Sequence, residues 1–69
     1  MPIRVEIENI LGILNVAEKL SDIDLPSLKL HLLKGNFKGF HAVTVRANWR
    51  IVFRFDKGNC SDLDLIDYH

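Results

Sequence analysis

A chain of 69 residues has room for one domain and one modest core, and at this length only about 60% of the unfolded surface is buried on folding. Its 48% apolar and 26% charged residues, with a formal net charge of zero, fit a globular protein and exclude disorder. No apolar run approaches the roughly 18 residues of a membrane span, Met1-Pro2-Ile3-Arg4 carries no signal-peptide pattern, and the lone Cys60 excludes an internal disulfide, so a cytoplasmic setting is expected.

Ile3, Val5 and Ile7 alternate with Arg4, Glu6 and Glu8 as a strand would. Ile3, Ile7, Ile10, Leu11, Leu14 and Ala17 also fall on one helical stripe, which Ile13, Val16 and Leu20 widen. The longer pattern predicts a helix over about residues 3–20, with Pro2 in its first turn and Gly12 as its weak point. The alternative is a strand followed by a shorter helix capped by Asn9. Ser21 to Ser27 reads as a connection, because the residue before Pro26 is pushed out of the helical region. Gly35-Asn36 and Gly39 mark another loop.

From Phe40 the period becomes two. Phe40, Ala42 and Thr44 oppose His41, Val43 and Val45, and Ala47-Asn48 makes a tight turn with Asn suited to positive φ. Trp49, Ile51, Phe53 and Phe55 form the face that should meet the helix, while Arg50, Val52 and Arg54 form the other. Asp56-Lys57-Gly58-Asn59 is a second hairpin turn. The last strand runs from about Cys60 to Ile66, with Ser61, Leu63 and Leu65 opposite Asp62 and Asp64. The expected fold is α+β, one helix on an antiparallel sheet of three strands, or of four, in a single domain over residues 1–69.

The zero net charge hides a segregation. Residues 1–33 hold two acids in excess, residues 34–55 hold Lys34, Lys38, Arg46, Arg50 and Arg54 with no acid, and residues 56–69 hold three acids in excess. Such a cationic middle can meet phosphates, although on charge alone a solvated charged face is the favoured explanation.

Metal-free RNA cleavage needs a base for the 2′-hydroxyl, fixed positive charge on the phosphorane, and an acid for the leaving 5′-oxygen. His31 or His69 could move the protons, and Lys34 and Arg50 could hold the charge, arginine with two parallel bonds. Singly, each has a plainer role: His31 as a surface residue, Lys34 as a solvated charge, Arg50 as a cross-strand partner of Asp62 or Asp64. Asp62, Asp64, Asp67 and His69 also suggest a divalent ion, but the alternate-residue spacing suits a guarded strand edge better, and no metal or other cofactor is expected. Trp49, Phe53 and Phe55 read as core, whereas Phe37 and Phe40 beside Lys38 could meet a base.

Together the motifs Asp24-Leu25-Pro26, Leu30-His31-x-Leu33-Lys34-Gly35, Asn48-Trp49-Arg50-Ile51-x-Phe53-x-Phe55 and Asp62-x-Asp64-x-x-Asp67-Tyr68-His69 are similar to those of the HigB-type killer toxins of the RelE superfamily. The resemblance runs from about Leu14 to His69. It implies a toxin that cuts messenger RNA on the translating ribosome and is held inactive by a HigA-like helix-turn-helix antitoxin, through which alone it would meet operator DNA. It assigns the active site to His31, Lys34, Arg50, Asp67, Tyr68 and His69, with His69 transferring a proton, Tyr68 stacking on or hydrogen-bonding the base, and Asp67 orienting the imidazole. Lys38, Arg46 and Arg54 would only steer the RNA. Leu32 stands where the family usually has proline, and Thr44 where it is often basic. Against the family's usual first strand and first helix, the chain is expected to be shortened, exposing apolar surface that a homodimer could cover. No membrane partner is implied. The alternative is a catalytically weak homologue that serves as an antitoxin-binding or nucleic-acid-binding module.

Overall fold

Helix α1 (Arg4–Val16) forms where the helical stripe is densest, and buries Ile10 and Leu14 with Ile7 and Ile13 beside them. It appears in a computed structural model that describes residues 3–67; Pro2, Tyr68 and His69 lie outside the described residues. No side chain caps its N-terminus, but Glu6 in the first turn favours the helix dipole. Arg4 and Glu8 pair at 2.9 Å, exposed and in the weaker of the two orientations, so the pair adds at most a few tenths of a kcal/mol.

The helix ends four residues earlier than the periodicity predicts, because Ala17 leaves it with extended backbone. One carboxylate causes the stop. Asp22 Oδ2 accepts the amides of Glu18 (3.1 Å) and Lys19 (3.4 Å), and a 3₁₀ turn follows over Leu20–Asp22. The bend brings Ile23 into the core at 0% exposure, with Ala17 at 5%. Near the helix end the Leu14 carbonyl accepts a long bond from the Cys60 thiol, 3.6 Å, satisfying one of the orphan acceptors there.

The sheet has four strands in the order β1 (His31–Leu32), β2 (His41–Arg46), β3 (Trp49–Asp56) and β4 (Asn59–Asp67), every neighbouring pair antiparallel. Strand β1 is the fourth strand left open by the sequence. It exists because the loop through Gly35 and Gly39 folds Leu30–Lys34 back on β2, pairing His31 with Ala42 and Leu32 with His41. Gly35 and Gly39 both take left-handed φ there, +70° and +89°.

The β3–β4 turn has Lys57 and Gly58 at φ +50° and +81°, the two left-handed residues of a tight hairpin. In the β2–β3 turn the left-handed residue is Ala47 (φ +52°), not Asn48 as the composition suggests. A bulge at Asp62 (φ +53°) breaks the alternation of β4. Ser61 therefore pairs with Arg54 on the face away from the helix, while Leu63 and Leu65 lie on the helix face. The strand also continues to Asp67, past the expected end.

The sheet carries apolar clusters on both faces. Ile10, Leu14, Ala17, Ile23, Leu28, Val43, Ile51 and Phe53 form the main core, flanked by Val45, Phe55 and Cys60. Trp49, expected among them, lies at the sheet end with 36% of its surface exposed. The opposite face holds Leu33, Ala42 and Val52, packed by Phe37, Phe40 and Ile66.

Candidate functional site

The face away from α1 is where the cationic side chains gather. Strand pairing lines up His31, Ala42, Val52 and Asp64 in one row and Thr44, Arg50 and Ile66 in the next, so His31 and Arg50 share that face. Two strand spacings and two residues separate them, which places their Cα atoms about 12 Å apart. The loop that carries Lys34 and Lys38, both exposed, closes over the same face by packing Leu33, Phe37 and Phe40 on Ala42 and Val52.

His31 is exposed, and its Nδ1 lies 2.9 Å from the Lys29 carbonyl. A carbonyl only accepts, so the neutral ring holds its proton on Nδ1 and presents the Nε2 lone pair outward. Arg50 is half-buried. Its Nη1 donates to the carbonyls of Ala47 (2.7 Å) and Trp49 (3.2 Å), clamping the β2–β3 turn in place of the cross-strand acid the sequence suggests. The register sets Arg50 opposite Ile66, and Asp62, at the bulge, lies beside Arg54, 3.5 Å away.

The remaining sequence candidates are dispersed. Arg54 lies over the Phe40 ring, 4.7 Å from its centroid, as well as beside Asp62. Arg46 faces the helix, with Glu6 at 3.9 Å, a distance for Coulomb attraction and not for a hydrogen bond. Asp67 pairs with Trp49 and so belongs by register to the helix-side row, away from His31 and Arg50. Tyr68 and His69 lie outside the described residues. Phe37 and Phe40 meet edge to face at 5.8 Å and pack against the smaller apolar cluster, so both are wall before they are platform. On β4, Asp64 accepts the Leu65 amide (2.9 Å). Among the described residues no group of three or more His, Cys, Asp or Glu side chains is placed to hold a metal ion.

One titratable group went unremarked in the sequence. His41 stacks on Phe53, 5.9 Å between centroids, and its Nδ1 is buried without a partner. Desolvation holds its pKa below the ordinary imidazole value. Its place in the alternation with Val43 and Val45 was the available signal. Burial also pushes the Cys60 thiol above its usual range, keeping it protonated and unreactive.

One helix on an antiparallel four-stranded meander, with Arg50 and Arg54 on the far face, is an α+β domain of the RelE-like class. A family model described as the RelE-like toxin of type II toxin-antitoxin system HigB matches residues 3–69, and the chain belongs to that HigB-like toxin family. The Endoribonuclease HigB of Proteus vulgaris is 41% identical to it over 56 residues, which is 81% of this chain and 61% of that protein. The chain thus spans less than two thirds of that relative's length. Among the described residues no helix is long and apolar enough to cross a membrane.

Proposed function

We propose that this chain is the toxin of a type II toxin–antitoxin pair and an endoribonuclease that cuts messenger RNA on the ribosome by acid–base chemistry. The observation that supports the reading best is the shared sheet face of His31 and Arg50, bordered by Lys34, in a member of the HigB-like family. His31 Nε2 takes the proton of a 2′-hydroxyl, and the 2′-oxygen forms a bond to the adjacent phosphorus. Arg50 and Lys34 stabilise the charge that builds on the phosphoryl oxygens. The bond to the 5′-oxygen then breaks, and that oxygen leaves with a proton from His69, giving a 2′,3′-cyclic phosphate and a 5′-hydroxyl end. Tyr68 holds the base beside the scissile bond.

In this reading a HigA-like antitoxin blocks the activity and carries the operator contacts. The relative's name, an endoribonuclease, agrees with the reaction class. The test is cleavage of messenger RNA on programmed ribosomes by the full chain, by His31→Ala, and by a chain ending at Asp67, with unfolding curves for all three. Both altered chains are expected to fold and to lose cleavage by at least a hundredfold. Undiminished cutting by the shortened chain would remove His69 from the mechanism, and undiminished cutting by both would remove the acid–base scheme.

A further inference from the structure

His31 owes its orientation to the turn that precedes it. Leu28 is buried and Leu30 half-buried, both in the main core, so the chain is pinned on either side of Lys29. The turn is pinned again where Thr44 of β2 donates its amide to the Leu28 carbonyl, 2.7 Å. Within it the Lys29 amide donates back to the Leu25 carbonyl, 3.3 Å, and Lys29 takes φ +51°. That left-handed conformation is strained for a lysine, where a glycine would adopt it freely, and such strain persists only where the surroundings hold it. Here the two leucines hold it. Its result is local: the Lys29 carbonyl meets His31 Nδ1 at 2.9 Å.

We propose that Lys29 is a positioning residue for RNA cleavage, its left-handed backbone aiming the carbonyl that fixes which nitrogen of His31 takes the proton. The proposal rests on the reading of His31 as the base. A carbonyl opposite an unprotonated Nδ1 would set lone pairs against each other, so the neutral ring keeps its proton there and Nε2 is free for the 2′-hydroxyl. When Nε2 gains that proton the ring becomes a cation. Its Nδ1–H bond to the Lys29 oxygen is then charge-assisted, roughly twice as strong as between neutral groups. The contact therefore strengthens as the proton moves, which is the condition for a contact to speed a step. The agent is the main chain and not the exposed ammonium.

The same anchor joins the two halves of the site. Thr44, which holds Leu28, is the residue paired with Arg50, so His31 and Arg50 are both placed from one point of β2.

The test compares the intact chain with Lys29→Gly, Lys29→Asn and Lys29→Val. Glycine and asparagine accept a left-handed backbone, valine rarely does, and all three remove the same charge. The His31 tautomer is read from long-range nitrogen–proton correlation spectra of the isotope-labelled chain, at a pH where the ring is neutral. Cleavage on programmed ribosomes and unfolding curves accompany it. The parent, Lys29→Gly and Lys29→Asn are expected to carry the proton on Nδ1 and to cut at similar rates. Lys29→Val is expected to show mixed tautomers and to cut about tenfold more slowly, or worse, at saturating ribosomes. A proton on Nε2 in the unaltered chain would overturn the proposal without any variant. So would a Lys29→Gly chain as slow as Lys29→Val, which would make the ammonium the agent, or a folded Lys29→Val chain that cuts at the parent rate. Should Lys29→Val not fold, the parent tautomer and the Lys29→Gly rate decide. Undiminished cutting by His31→Ala would remove the base and the role of Lys29 together, whereas a misplaced proton removes the positioning alone.

Discussion

Arg50 holds the β2–β3 turn with the group that the proposed reaction needs, so its substitution separates fold from function. Nη1 donates to Ala47 O and Trp49 O, while Ala47 sits at φ +52°, a conformation that disfavours an alanine by about 1 kcal/mol. Two side-chain bonds at a half-buried site contribute on the order of 0.5–1.5 kcal/mol each, and the exposed part of the guanidinium argues for the lower half of that range. Arg50→Ala should therefore cost about 1–2 kcal/mol, and in a domain of this size the unfolding midpoint should fall by roughly 5–15 °C. Both bonds use Nη1, which leaves the Nε–Nη2 edge to meet a phosphate in two parallel contacts. Arg50→Lys keeps a charge and a donor for one turn carbonyl. It should recover about half of the lost stability and little of the lost rate, since removing a transition-state donor costs on the order of 10²–10³. The assay is thermal unfolding by circular dichroism paired with ribosome-programmed cleavage. An Arg50→Ala chain that melts with the parent would refute the clamp, and an Arg50→Lys chain that cuts at the parent rate would refute the two-pronged contact.

Gly12 lies exposed in the middle of α1 with nothing within 4 Å of an added Cβ, so Gly12→Ala should stabilise the fold by about 0.5–1 kcal/mol, read as a shift in denaturant midpoint. Phe53 has no exposed surface at the centre of the main core, so Phe53→Ala should cost about 3–5 kcal/mol and leave little cooperative unfolding. His41 is held neutral by desolvation in the folded chain, which binds fewer protons than the unfolded chain as the pH drops below about 6.5. Stability should therefore rise with pH up to that point and fall on acidification. A His41→Phe chain, followed by urea unfolding across pH 5 to 8, should lose that part of the slope; an unchanged slope would place the titration elsewhere.

The strands were legible because their information is local. Alternation from Phe40 to Phe55 and the Lys57-Gly58 turn place the two long hairpins, and the helix-facing set Ile51, Phe53 and Phe55 is the one the pattern selects. The end of α1 was not legible, since Asp22 stops it through a side chain five to six residues beyond Val16 and Ala17. Strand β1 has two residues and owes its extended form to β2, so no period in its own sequence reveals it. The partner of Arg50 was misread against the register itself: the Lys57-Gly58 turn sets Leu65 opposite Arg50 and the bulge at Asp62 shifts that to Ile66, so neither arrangement puts an acid directly across from it. Of the candidate site, Arg50 falls on the face the alternation implies and His31 joins it there through β1, which the sequence read as loop, while Arg46 and Asp67 fall on the other face.

The two faces of the sheet have different chemistry because the chain covers them differently. A helix takes one face and buries eight residues in its core, but stops short of β4 and leaves Leu63 and Leu65 bare. A short glycine-bounded loop takes the other face, and its hold is the small cluster of Leu33, Ala42 and Val52 with Phe37 and Phe40. That cluster fixes Lys34 and Lys38 relative to Arg50, which stands on the uncovered part of the same face. Its apolar floor also lowers the local dielectric beside those charges, so a phosphate bound there would meet them more strongly than in open water. The loop cations thus owe their placement to packing and not to ion pairs, and weakening the cluster would disperse them without removing any charge.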